Sequence, residues 1–341
     1  MSFLKIVGQT ELKKRVASMI GGQMPQSFLV SGPEGMGKHT FSEELAKTIM
    51  CSHPTSDGSC GVCNNCRYFD AGTHPDIKRI EATEGRKSIR IADLRTEVSG
   101  DIAINPQIAS TKVYLINADQ LGNESQNLLL KSLEEPPKGV AFILMVSDSS
   151  RIIPTIMSRI TELKLRTYSS EEIEKILSYN ASNNNEEVLD HDKAMFIASF
   201  SSGIPGRALS LCNDEGFAEE RDRIFDLVLS MPRLSLTDLL YDEFSFWDKN
   251  RDRVEEMLLI LLWTLGDLAT LLATPNKGMI KNVDKEKELI NFLSDNKGIN
   301  YVNIYNASAA VNEFSRGLKV NVNFESGCCS MFLKIHKELA S

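Results

Sequence analysis

Phe28-Leu29-Val30-Ser31-Gly32-Pro33-Glu34-Gly35-Met36-Gly37-Lys38-His39-Thr40 is the stretch that decides how this chain folds. A short apolar run meets a glycine-rich turn and a lysine, after which Phe41, Leu45 and Ile49 recur every fourth residue. The pattern predicts a buried strand, a phosphate loop and the helix behind it. Glycines let backbone approach phosphate oxygens closely, and the helix N-terminus offers N–H groups to an anion. Gly32, Gly35, Gly37 and Lys38 are therefore candidate phosphate-binding residues, with His39 and Thr40 beside them. In an active loop the residue after lysine is Ser or Thr, whose hydroxyl ligates magnesium. Here it is His39.

Outward from that loop, Ile77 to Ile80, Val113 to Ile116 and Val140 to Val146 are further strand candidates. A helical pattern from Ser125 to Glu135 stops at Pro136-Pro137, as a helix must. Strands alternating with helices predict a parallel α/β layer domain over residues 1–165. The strand Lys112 to Ile116 should end in Asp then Glu, for metal and attacking water. It ends in Asn117 and Ala118, and Asp119 comes two residues late. Two independent losses predict a nucleotide fold without a hydrolytic magnesium site, in which ATP or ADP binding is weak or absent. Residues 166–213 read as a small helical domain around the turn Gly203-Ile204-Pro205-Gly206, and 214–341 as a second helical domain.

The formal charge is −8, from 38 Lys and Arg against 46 Asp and Glu. That balance argues against a protein whose main affinity is for the nucleic-acid backbone. The longest apolar stretch, Met257 to Ala273, is interrupted by Gly266 and Asp267 and reads as a buried bundle helix, so no membrane partner is expected. No charged, apolar leader opens the chain, so a cytoplasmic protein is expected. Cys51, Cys60, Cys63 and Cys66 are four of the seven cysteines, packed into sixteen residues. Four thiolates at this spacing, with no open position, predict a closed structural zinc site in an insert over about 51–66. His53 and His74 nearby are expected at the surface, and Cys212, Cys328 and Cys329 in the core.

Ile6-Val7-Gly8-Gln9, the phosphate loop, the four-cysteine insert and Ala71-Gly72-Thr73-His74-Pro75-Asp76 together resemble bacterial clamp-loader subunits of DNA polymerase III, members of the AAA+ family. So do Asn127 to Pro137 and the pair Ser158-Arg159. The resemblance covers residues 1 to about 212; the helical remainder matches by length and class. It implies an AAA+ P-loop domain with a parallel sheet, a small helical lid and a C-terminal all-α collar that joins subunits into a hetero-oligomeric ring. It implies gamma/tau and delta subunits as partners, with the sliding clamp and primed DNA reached through the complex. Arg159, with Ser158, would act in trans as an arginine finger on a neighbour's ATP, although Ile160 stands where the motif usually has cysteine. Arg207 would match the lid arginine that senses a γ-phosphate, and Ser147 a polar sensor. His39, Asn117 and Ala118 depart from the motor pattern and predict a subunit without its own ATPase. The alternative is a gamma/tau-type motor using Thr40 and Asp119. A phosphate-loop kinase would need a phosphoacceptor site and catalytic lid arginines, and the sequence has no such constellation.

Overall fold

The computed structural model describes residues 3, 6–83, 85–184, 188–273, 280–320 and 322–340. They fall into two compact units, Met1–Val188 with Ser201–Leu209, and Leu189–Phe200 with Ser210–Ser341.

The first unit is built on a five-stranded parallel sheet: β1 (Ser27–Ser31), β2 (Ile77–Ile80), β3 (Lys112–Asn117), β4 (Val140–Val146) and β5 (Thr161–Lys164). The strand order is β2-β3-β4-β1-β5, so β1 and β4 lie inside and are buried along their whole length. Continuous apolar runs such as Val140 to Val146 are what a strand covered on both faces requires. Stacked rings of Tyr114 and Phe142, 5.1 Å apart, sit in a core shared with Leu129 and Leu133 of α5 (Asn123–Glu134). The four strands anticipated from sequence are present. β5 was not anticipated, because Thr-Glu-Leu-Lys buries only Leu163 at the sheet edge. Phosphate loop first, helix α2 (Lys38–Met50) next, and this sheet order give the unit the α/β layer of an AAA+ fold, with the loop at the C-terminal strand ends.

The described residues of the second unit form helices without strands, including α8 (His191–Phe200), α10 (Glu215–Ser230), α12 (Val254–Ala273), α14 (Tyr301–Lys319) and α15 (Phe324–Leu339). Phe196, Phe200, Phe217 and Trp263 make one aromatic cluster. α12 is long and apolar enough to cross a membrane by composition alone, yet it packs on α10 and α14 and buries Met257, Leu258, Leu261, Leu265 and Leu268. Asp267 is buried in that helix because it accepts hydrogen bonds from the backbone N–H groups of Lys281 (2.6 Å) and Asn282 (2.8 Å). Cys328 is a core residue, whereas Cys212 and Cys329 are half-buried.

Glu220 on α10 is also buried, and its carboxylate lies 2.8 Å from Arg253. Burial pushes its pKa up to about 7; Arg253 opposes the shift, while Glu256, Asp214 and Asp252 reinforce it. The folded state therefore binds a proton that the unfolded chain releases at its ordinary, lower pKa. Stability in the second unit falls as pH rises through this window, by about 1–2 kcal/mol. Glu220→Gln is expected to flatten that fall. Urea midpoints at pH 5 and pH 8 test it, and tryptophan fluorescence reports this unit selectively because both tryptophans, Trp247 and Trp263, lie in it. Equal pH dependence in variant and parent would refute the assignment.

Candidate functional site

A cleft of about 780 Å³ opens over the phosphate loop. Gly35 (φ 75°) and Gly37 (φ 87°) hold left-handed backbone there, and α2 begins at Lys38. The Lys38 ammonium donates to the carbonyls of Gly32 (2.8 Å) and Pro33 (3.0 Å) and to Ser147 Oγ (3.1 Å), bracing the loop against the end of β4. Burial lowers its pKa, with Asp119 and Glu34 opposing.

His39 sits on the exposed first turn of α2, its Nε2 3.7 Å from Glu43, and Thr40 lies beside it at the cleft. Glu43 is itself engaged by Arg79, through two hydrogen bonds of 2.7 and 2.8 Å. Asn117 ends β3 and reaches the cleft; Ala118 is buried. Asp119 is brought to the cleft floor with both oxygens in use: Oδ2 accepts from Ser147 N (2.9 Å) and Oγ (2.6 Å), and Oδ1 accepts from Arg151 (3.1 Å). Sequence reasoning missed Arg151, which follows β4 in a short 3-10 turn that carries no motif. It also missed the apolar part of the cleft lining, to which Ile6, Val7, Tyr168, Ile176 and Leu209 contribute.

The Gly203-Ile204-Pro205-Gly206 turn touches the phosphate loop backbone to backbone. Gly206 N donates to Gly35 O at 2.8 Å, and a Cβ on Gly206 would stand 2.7 Å from Gly35 Cα. Helix α9 (Pro205–Cys212) presents Pro205, Gly206 and Leu209 to the cleft, and Arg207 is not among the residues that line it. Ser158 and Arg159 lie outside the cleft, between α6 (Pro154–Met157) and β5. The Arg159 guanidinium is held by Thr155 O (2.7 Å), Ser158 Oγ (3.0 Å) and the Glu134 carboxylate (2.9 Å), and remains part-exposed above buried Ile160.

The four insert cysteines come together as expected. Cys51 ends α2, Cys60 follows a tight Thr55–Gly58 turn, and Cys63 and Cys66 begin α3 (Asn64–Asp70). All four sulfurs lie within 4.8 Å of one another, and Cys51 and Cys63 are 3.9 Å apart. Zn–S bonds of about 2.3 Å in a tetrahedron put sulfurs about 3.8 Å apart, so the set fits zinc. Burial opposes ionisation of Cys63, but backbone N–H groups of Cys66 and Ser52 bring its thiol down to about 6, whereas burial raises Cys51 and pushes Cys66 up to about 12.

Contrary to expectation, His74 is buried, at 5% exposure, while His53 is exposed. Its Nδ1 accepts from Asp76 N (3.1 Å) and its Nε2 faces Asn65 Oδ1 (3.4 Å); Asn65 donates to Met50 O (2.7 Å). Asp76 in turn accepts from the backbone N–H groups of Gln107, Ile108 and Ala109. Burial works against its ionisation, and those three donors outweigh it, holding its pKa below the usual value. The histidine is thus one link between the cysteine module and the loop before β3.

Residues 8–169 match the family model described as DNA polymerase III, delta subunit. Over this segment the chain is similar to DNA polymerase III clamp-loader subunits. The chain is 37% identical over 145 residues to the delta' subunit of Pseudomonas aeruginosa, covering 42% of this chain and 44% of that one. It is 27% identical over 223 residues to the delta' subunit of Escherichia coli, 65% of each chain. It is also 32% identical over 214 residues to the tau subunit of Escherichia coli, 62% of this chain and 32% of tau. The chain thus spans less than two thirds of the length of each of these clamp-loader relatives.

Proposed function

We propose that this chain is a delta-prime-type stator of the DNA polymerase III clamp loader. It has no significant ATPase of its own and supports ATP-driven loading of the sliding clamp onto primed DNA by neighbouring gamma/tau subunits. One observation carries the reading: the anion cradle and its lysine are kept, whereas the metal and water positions hold His39, Asn117 and Ala118, and Asp119 is tied to Ser147 and Arg151. A phosphate chain can be held there without a group to activate water.

Arg159 is the residue we assign to work on a neighbour's ATP, with Ser158 supporting its guanidinium. Cys51, Cys60, Cys63 and Cys66 would hold zinc, which when bound supplies a structural crosslink and no chemistry. Division near residues 165 and 213, a collar contributing to ring assembly with gamma/tau and delta, and a cytoplasmic location complete the proposal. Arg207, which is not among the residues lining the cleft, serves in this reading to hold the lid helix and not to sense phosphate.

The competing reading, a gamma/tau-type motor, draws on the identity to tau and on Thr40 and Asp119 at the cleft. Turnover separates the two. The purified chain is expected to release no phosphate from ATP above background, with or without primed DNA, and to raise turnover when added to gamma/tau and delta. Hydrolysis by the isolated chain that disappears in Lys38→Ala would establish the motor instead.

A further inference from the structure

We propose that the cleft binds the polyphosphate of a nucleoside di- or triphosphate in its metal-free form, with Arg151 and His39 standing where magnesium and its ligands would be. The inference deepens the reading of the cleft as a hydrolysis-incompetent nucleotide site and rests on it. Its basis is the donor set. Magnesium requires hard oxygen ligands in near-octahedral array. At the first turn of α2 the hydroxyl position is filled by the His39 imidazole, an N–H donor and a poor magnesium ligand. At the end of β3 the carboxylate position is the neutral amide Asn117.

The remaining carboxylate on the cleft floor is neutralised in place. Lys38, Ser147, Asp119 and Arg151 form a continuous hydrogen-bonded row, at 3.1, 2.6 and 3.1 Å, and with Ser147 N also donating, three of the four acceptor sites of the Asp119 carboxylate are taken. Glu34 and Glu81 also line the cleft but are solvent-exposed. Arg151 donates one N–H from each terminal nitrogen to Asp119, to Oδ1 (3.1 Å) and to the main-chain carbonyl (3.2 Å), and with 58% of its side chain exposed the remaining guanidinium N–H groups are open to a phosphate. The apolar lining from Ile6, Val7, Tyr168 and Leu209 offers a surface for a base, so the cleft is more than a helix N-terminus.

The test is calorimetric titration of the full chain with ATP and with ADP, in EDTA and in excess Mg2+. Affinity is expected to be about fivefold or more tighter in EDTA, because the uncomplexed phosphates carry more charge to the cationic row. Arg151→Ala is expected to weaken binding in EDTA by about tenfold and abolish the preference, and Arg151→Lys to retain part of it. Tighter binding with Mg2+, or an Arg151→Ala variant with unchanged preference, overturns the proposal. No binding under either condition overturns it too, and removes the cleft as a nucleotide site; the stator reading would still stand or fall on turnover.

Discussion

Arg159→Ala is expected, on the proposed stator role, to abolish most of the stimulation of neighbouring gamma/tau subunits, lowering turnover at the adjoining ATP site about 100-fold or more. Arginine fingers supplied in trans are worth ~10³–10⁵ in kcat, because a planar cation meets charge as it develops on the transferring phosphoryl group. In the isolated chain the guanidinium is parked against Glu134, in a pair exposed by about two fifths on each side. Such an exposed pair contributes no more than about 1 kcal/mol, so a neighbour's triphosphate can capture the arginine at small cost. Thr155 O and Ser158 Oγ meanwhile limit where the side chain can swing. Arg159→Lys should behave nearly as alanine, since an ammonium lacks the fork. Complex assembly, followed by gel filtration, should be unchanged in both. Normal hydrolysis by an assembled Arg159→Ala complex would remove Arg159 from its assigned role.

The second large effect concerns the cysteine module. Cys66→Ser, or stripping metal with a strong chelator, is expected to lower the stability of the first unit by several kcal/mol, about 10 °C or more in Tm. Nothing in the module itself compensates, since α3 is only seven residues long and its short flanking loops bury little apolar surface. Asn65 and His74 carry the disturbance to Asp76, and through Asp76 to the N–H groups of residues 107–109. Hydrogen exchange at those three amides should therefore accelerate together with exchange in α3. Metal analysis showing about one zinc per chain in the parent and none in the variant would accompany it. A metal-free protein with the same Tm and the same protection at 107–109 would mean the cysteines hold no stabilising ion.

How much of this was legible follows from what each residue depends on. β1 and β4 could be read because interior parallel strands are covered on both faces and show as short continuous apolar runs, Phe28 to Val30 and Val140 to Val146. β5 could not, because an edge strand with one neighbour needs only Leu163 inside. The cysteines declared their cluster by spacing, since turns of two residues leave thiolates few places to go. His74 did not declare its burial: what holds it inside is an amide from Asn65 and a backbone N–H, partners that periodicity does not encode.

The missing hydroxyl at position 39 and the missing carboxylates at 117 and 118 are facts of the chain alone, because no conformation gives an imidazole, an amide or a methyl group the oxygen chemistry of the groups they replace. The tertiary structure decided what became of the groups that remained. It occupied Asp119 with Ser147 and Arg151, pressed Gly206 against Gly35 and left Arg207 off the cleft lining. Each of these depends on where backbone from distant parts of the chain comes to lie once the sheet has closed, and local sequence spacing carries no record of such distances.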